Sequence, residues 1–258
     1  MPDVSIVIVS FNAREDLERC LASLRDAPPA RSHEIIVVDN ASTDGSAEAA
    51  RRFANVRVIE TGANKGFAGG NNIGIRASTG TNVLLLNSDT LVPAGAVDAL
   101  LSALDRHPDV AVVGPRLVDG EGRAELSFGP MVSPIGQLRQ KLAYGRIETI
   151  TRREQYPDWV TGACLLVRRT DADAAGLLDE RYFMYLEDVD FCAAIRARGR
   201  RILFTPAVQI THLRGRSWAS RAANLRTFYE SNLVFYRKHH PLLVPLVRLY
   251  LRLFRADR

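Results

Sequence analysis

At 258 residues, 47% apolar and 24% charged, the chain has the balance of a soluble globular protein. It is long enough for one sizeable domain with an appended subdomain. Its 34 Lys and Arg against 29 Asp and Glu give a net charge of +5, but the arginines are scattered with a bias toward the C-terminus, which argues against a nucleic-acid groove and for a local membrane or partner contact.

The first half alternates between two periodicities. Val4 to Ser10 is an unbroken β-branched run, the pattern of a strand buried on both faces. Asn12 stands where a cap would precede a helix carrying Leu17, Leu21 and Leu24 on one face, and Pro28 and Pro29 end it. Strands are predicted at Glu34 to Val38, Val56 to Glu60, Val83 to Asn87 and Val110 to Gly114, with helices over Ala47 to Phe53 and Ala94 to Asp105. Strands separated by helix-length stretches read as βαβ units in a mostly parallel sheet.

Residues 115 to 160 lack clear periodicity and read as loops with short strands. Order returns with a strand over Trp159 to Arg168 and a helix from Glu187 to Arg198, stopped by Gly199. Short strands at Arg201 to Thr205 and Val208 to Thr211 precede a longer helix, Ala219 to Lys238. In the tail, Arg248, Arg252 and Arg255 recur at i, i+4 and i+7 in a Leu- and Val-rich segment. That pattern suits an interfacial membrane helix over residues 241–258, or a helix docked on the domain or on a second subunit, as in a homodimer.

Cys20, Cys164 and Cys192 are far apart and form no CxxC pair, so they read as buried thiols in a reducing compartment. No basic leader precedes the first strand and no apolar run approaches the roughly twenty residues of a membrane-spanning helix. A cytoplasmic protein is expected.

Ligands of an open parallel sheet bind beyond the C-terminal ends of its strands. Four polar clusters fall there: Ser10-Phe11-Asn12, Asp39 to Gly45, Asn64 to Asn71, and Asn87-Ser88-Asp89. Each alone reads as a capped turn; four on one edge read as a binding site. Asp39 can accept from a nucleobase N–H or a ribose hydroxyl. The glycine-rich cluster lets backbone approach a phosphate, with a helix beginning near Gly70. It matches neither GxGxxG nor the Walker pattern, which argues against a dehydrogenase or a P-loop enzyme. Asp89, emerging from a buried strand, suits a hard cation.

The ordered set VSIVIVSFN, VDNASTDGS, NKGFAGGNNIG, LLLNSDT, WVTGACLLVRR, FMYLEDVDFC and THLRG resembles the family 2 inverting glycosyltransferases, nearest their bacterial rhamnosyltransferase-like branch, over roughly residues 4 to 215. The resemblance implies the α/β GT-A fold. Residues 1–114 would form the nucleotide-sugar-binding half, 115–215 the acceptor-binding and catalytic half, and 216–258 C-terminal helices. It implies a nucleoside-diphosphate sugar bound by Ser10, Asn12, Asp39, Asn40, Asn64, Gly66, Gly70, Asn71, Asn87, Ser88 and Asp89. The family's DxD element reads Asn87-Ser88-Asp89, without its first carboxylate, so Asp89 and His212 are the implied ligands of Mg2+ or Mn2+.

Within Glu187-Asp188-Val189-Asp190 the resemblance makes Asp188 the base and Glu187 its support, while acids at a helix start also answer the helix dipole. Asp190 is expected to brace the helix start or a neighbouring arginine. Trp159, Gly162 and Ala163 would form the acceptor side, with Trp159 stacked on a sugar or simply packed in the core. The implied reaction moves a sugar, dTDP-rhamnose being the first donor considered, to a glycan or lipid-linked acceptor in cell-surface polysaccharide synthesis, at the inner face of the plasma membrane. The alternative is a degenerate transferase that binds nucleotide or glycan without turnover.

Overall fold

The structure, a computed structural model, describes residues 1–133, 136, 144–213 and 221–255. Its centre is an eight-stranded sheet in the order β3-β2-β1-β4-β9-β6-β10-β5. The first half of the chain supplies β1 (Val4–Ser10), β2 (His33–Asp39), β3 (Val56–Glu60), β4 (Asn82–Asn87), the two-residue β5 (Thr90–Leu91) and β6 (Val110–Val118). Between these strands run α1 (Arg14–Asp26), α2 (Ser46–Arg51), α3 (Gly66–Ala77) and α4 (Ala96–Arg106). Strands β3, β2, β1 and β4 are parallel, as expected from the βαβ pattern.

The second half supplies β7 (Phe128–Gly129), β8 (Trp159–Val160), β9 (Cys164–Arg168) and β10 (Arg201–His212). β9 inserts antiparallel between β4 and β6, so one sheet runs through both halves of the chain. β10 lies parallel to β6 and antiparallel to β5.

Side chains alternate between the two faces of a strand, and β1 and β4 show the consequence. Ile6, Ile8, Leu84 and Leu86 join Leu17, Leu21 and Leu24 of α1 and Leu100, Leu101 and Leu104 of α4 in one core. Val7, Val83 and Leu85 face the other way, onto Ile75 of α3 and onto Phe191, Cys192 and Ile195 of the helix α6 (Glu187–Arg196). The shorter α5 (Arg169–Ala175) and the C-terminal α7 (Arg221–His239) and α8 (Val244–Arg255) complete the second layer. All three cysteines are free and buried, and burial pushes the Cys20 and Cys192 thiols up to about 12.

Several local expectations are corrected. Asn12 does not cap α1. It sits at φ +48 with its side-chain oxygen accepting from the Thr43 N–H, while Asp44 accepts from the Arg14 N–H at 2.9 Å and so caps α1 from the next loop. α3 starts at Gly66, not near Gly70. The strand expected over Trp159 to Arg168 breaks at Thr161 to Ala163, leaving β8 paired with β7 and β9 in the main sheet. The two short strands after Arg201 form one, β10, whose register shifts between Thr205 and Gln209, at Pro206; proline, lacking an N–H, is accommodated at such a bulge. The start of the helix expected at Ala219 lies outside the described residues.

α6 is also held through Asp190 in its first turn. Asp190, almost wholly buried, accepts from Lys238 Nζ at 2.7 Å and pairs with His239 Nε2 at 2.6 Å, both at the end of α7. Lys238 also reaches Asp179. The brace expected for Asp190 therefore exists, with lysine and histidine in place of arginine.

Candidate active site

The C-terminal ends of β1, β2 and β4 bring the first polar clusters together. Ser10 and Asp39 are register partners, both 2% exposed or less. Ser10 Oγ and Asp39 Oδ1 have no hydrogen-bond partner among the described residues. The other carboxylate oxygen of Asp39 is held by the Ser42 N–H at 3.0 Å. A buried polar atom left without a partner costs about 1–3 kcal/mol, so this slot could take a ligand that supplies both a donor and an acceptor.

The asparagines around the slot hold backbone. Asn40 donates to the Gly66 carbonyl and accepts from the Lys65 N–H, both at 2.9 Å. Asn64 accepts from the Gly66 N–H at 2.9 Å, and Asn71 donates to the Phe67 carbonyl. At Gly70 a Cβ would fall 2.8 Å from Val9 Cγ1, so α3 packs there directly onto β1. Asn40, Asn64 and Asn71 thus shape the glycine-rich segment, Asn40 with both of its side-chain polar atoms engaged.

β4 ends at the second cluster. The Asn87 N–H donates to the Ala163 carbonyl at 2.9 Å, and the Asp89 carbonyl accepts from the Leu213 N–H at 2.8 Å. Ser88 lies half-buried between them. His212, at the end of β10, places Nε2 3.3 Å from Asp89 Oδ1 and 3.4 Å from the Asn87 amide nitrogen. Its other ring nitrogen, Nδ1, is 3.0 Å from Glu125 Oε2. Burial disfavours charge on His212, but hydrogen bonds to Asp89 and Glu125 outweigh it and raise its pKa to about 9. Asp89 and His212 offer one oxygen and one nitrogen on the same side, a donor pair that fits a divalent cation completed by substrate phosphates. Among the described residues, no three acidic, histidine or cysteine side chains converge to form a full cage.

The third centre is the start of α6. Tyr185 and Leu186, the two residues before it, both take left-handed backbone conformations at φ +71 and +67, each costing about 1–3 kcal/mol. They deliver Glu187 and Asp188 onto the first turn. Asp188 Oδ2 accepts from the Gly162 N–H and Oδ1 from the Val189 N–H, each at 2.8 Å. Burial raises the Asp188 pKa against these hydrogen bonds. Glu187 is 4% exposed; burial, then the charge on Asp188, pushes its pKa well above the ordinary range.

The turn Thr161-Gly162-Ala163 ties the second and third centres together, Gly162 to Asp188 and Ala163 to Asn87. Phe67 ties in the first: its N–H donates to the Phe183 carbonyl at 2.8 Å, and its ring lies where a Gly162 Cβ would meet it at 2.9 Å. Trp159 is buried, with its indole N–H donated to the Pro130 carbonyl at 2.9 Å, so the packing supports the core alternative over sugar stacking. Glu125 and Phe67 were not singled out from the sequence. Phe67 carried a signal as the aromatic inside NKGFAGG. Glu125 carried none, being an isolated acid in a stretch without periodicity, 87 residues from His212.

Comparison with known proteins bears on the family and the fold. Residues 5–173 match the family model described as "Glycosyl transferase family 2". The chain is 34% identical over 266 aligned residues to the N-acetylglucosaminyl-diphospho-decaprenol L-rhamnosyltransferase of Mycobacterium tuberculosis, covering 93% of this chain and 86% of that one. It is 27% identical to a low-salt glycan biosynthesis hexosyltransferase of Haloferax volcanii, covering 78% of this chain and 64% of the relative. Among solved structures it resembles GalNAc-T7 with UDP, GalNAc and Mn2+ (TM-score 0.67, 17% identity, 86% of this chain, 45% of that chain). It also resembles a mannosyltransferase of Pyrobaculum calidifontis in complex with GDP-Man and Mn2+ (TM-score 0.65, 20% identity, 96% and 68%). These likenesses give the GT-A fold, and with the family match over most of the sheet the chain belongs to glycosyl transferase family 2, on its rhamnosyltransferase-like side.

Proposed function

We propose that this glycosyltransferase moves a sugar, with inversion, from a nucleoside-diphosphate sugar to a hydroxyl of a lipid-linked acceptor, with dTDP-rhamnose as donor. The observation that carries the reading is Asp188, a half-buried carboxylate with a raised pKa, fixed by Gly162 on the turn that also holds Asn87. The mycobacterial relative, named for rhamnosyl transfer to a diphospho-decaprenol acceptor, supports the sugar and the acceptor class.

In this mechanism Ser10 and Asp39 hold the nucleoside through their unpartnered buried oxygens, and the turn at Asn64 to Gly70 borders the diphosphate. Asp188 accepts the proton of the acceptor hydroxyl as its oxygen attacks the anomeric carbon opposite the departing nucleoside diphosphate. Glu187, beside it, is pushed toward its neutral form by burial and by the charge on Asp188, which leaves Asp188 as the charged member of the pair. Asp89 and His212 would hold Mg2+ or Mn2+, whose positive charge offsets the charge growing on the leaving diphosphate. A single displacement inverts the anomeric centre. The test is the configuration of the product, read from anomeric coupling constants after reaction with dTDP-rhamnose and a GlcNAc-diphospho-polyprenol. A product opposite in configuration to the donor is expected; retention would sink the mechanism, and turnover only with another nucleotide sugar would move the donor.

The division into a donor half over 1–114, an acceptor half over 115–215 and C-terminal helices over 216–258 is part of this reading. So is placement in the cytoplasm at the inner face of the plasma membrane. No helix among the described residues is long and apolar enough to cross a membrane. α8 docks through Val244, with Leu243 and Val247 partly buried against the same core. Leu242, Leu246 and Leu249, at i, i+4 and i+7, stay 91%, 64% and 55% exposed. From Ser231 to Ala256 the sequence has no acid, while Arg237, Lys238, Arg248, Arg252 and Arg255 fall within it. An exposed leucine stripe in a cationic segment suits an anionic lipid surface. Changing Leu242, Leu246 and Leu249 together to Ser, or deleting 241–258, is expected to abolish sedimentation with phosphatidylglycerol vesicles. Unchanged binding in both would remove the membrane contact.

A further inference from the structure

We propose that Glu125 is a positioning residue for the cation site, orienting His212 so that its Nε2 faces Asp89. The inference rests on the reading of Asp89 and His212 as cation ligands.

The two ring nitrogens of His212 are engaged on opposite sides. Nδ1 meets Glu125 Oε2 at 3.0 Å, while Nε2 lies 3.3 Å from Asp89 Oδ1. To hold a cation the His212 ring must give up a proton, and a neutral imidazole has one N–H and one lone pair. A carboxylate oxygen accepts, so Glu125 takes the Nδ1–H and leaves the Nε2 lone pair on the side of Asp89. The same contact places Glu125 behind the ring, where it is no third ligand.

Glu125 is itself well anchored. It is 8% exposed, its N–H donates to the Leu117 carbonyl at 2.9 Å, and the preceding Ala124 bridges Val118, the last residue of β6. The carboxyl therefore projects from a strand extension at the end of β6, the strand that pairs with β10, which ends at His212. Its position also answers the departure at Asn87. With the first carboxylate of the acidic element replaced by a neutral amide, the site has one fewer anionic oxygen. A carboxylate behind a ligating histidine makes the imidazole a stronger donor and locks its orientation, and removing such a partner typically costs 10–100-fold in metal affinity.

The experiment is a Mn2+ titration followed by electron paramagnetic resonance, with Mn2+ alone and with dTDP, on the full chain and without turnover. Glu125→Ala is expected to weaken Mn2+ binding about 10–100-fold. Glu125→Gln, which keeps an acceptor oxygen, should lose distinctly less, and it carries the test if the alanine variant fails to fold. In a His212→Ala background either Glu125 change should alter affinity less than about twofold, because a partner acting through His212 is coupled to it. Mn2+ affinity unchanged in both single variants would overturn the proposal. So would an equal loss with and without His212, which would make Glu125 a direct ligand. Wild-type protein that takes up no Mn2+ even with dTDP would overturn the cation reading itself.

Discussion

Asp188→Asn is expected to lower kcat by about 10²–10⁴-fold, the usual contribution of a positioned general base, with dTDP affinity within about twofold of wild type. The substitution is close to isosteric and keeps an oxygen to accept from the Gly162 N–H, so the turn that joins Asp188 to Asn87 should survive. What disappears is the ability to take a proton. The pH profile gives a second handle. A base works only when deprotonated, and burial raises the Asp188 pKa while Glu187 is pushed further still. Wild-type kcat should therefore fall on acidification along a limb above the ordinary carboxylate range, belonging to the pair as a unit. In stability the sign is opposite to that of a salt-bridged acid: the folded state binds these protons more tightly than the unfolded chain, so their burial costs stability at neutral pH and the cost shrinks as pH falls. Steady-state rates with the lipid-linked acceptor, alongside calorimetric titration of dTDP, make the check. Turnover near the wild-type level in Asp188→Asn would remove Asp188 from the chemistry.

How much could be read before the structure depended on how local each signal was. The run Val4 to Ser10 and the Val-Leu-Leu-Leu of β4 are buried on both faces because helices cover both sides, and an unbroken apolar run states that directly. The clusters after β1, β2 and β4 share one sheet edge as a consequence of parallel topology alone. Less legible was what each polar side chain does there. Ser10 and Asp39 keep an unpartnered oxygen, while Asn40 and Asn64 spend theirs on the backbone of Lys65 and Gly66. Nothing in residue type separates these roles, because the folded backbone decides them, and the partners of Asn40 lie 25 and 26 residues away. The break after Val160 was hidden for a similar reason: Trp-Val and Cys-Leu-Leu-Val are both strand-like, and only the pull of Asp188 on Gly162 shows why the chain turns between them. Glu125 is the extreme case, a single acid whose meaning comes entirely from His212.

Gly66→Ala should destabilise the fold more than any ordinary glycine change, for two separable reasons. Gly66 holds φ +72, where an L residue costs about 1–2 kcal/mol. An added Cβ would also lie 2.2 Å from the Phe183 carbonyl oxygen and 2.8 Å from the Phe183 ring, and such crowding typically costs about 1–3 kcal/mol. The carbonyl cannot retreat freely, because it accepts the Phe67 N–H at 2.8 Å and stands four residues before Glu187. Together these predict about 2–5 kcal/mol, or a fall of about 4–20 °C in Tm for a domain of this size. Gly122 supplies the control: it holds φ +79 with nothing within 4 Å of its would-be Cβ, so Gly122→Ala carries the backbone cost without the clash. The contact between Gly66 and Phe183 also couples the glycine-rich turn to the segment that leads into α6. Gly66→Ala should therefore weaken dTDP binding and lower kcat at temperatures where the protein is still folded, whereas Gly122→Ala should do neither. Thermal melts, nucleotide titration and rates on the two variants side by side make the comparison, and a Gly66→Ala protein indistinguishable from Gly122→Ala would mean that the Phe183 segment yields without cost and does not tie the two centres together.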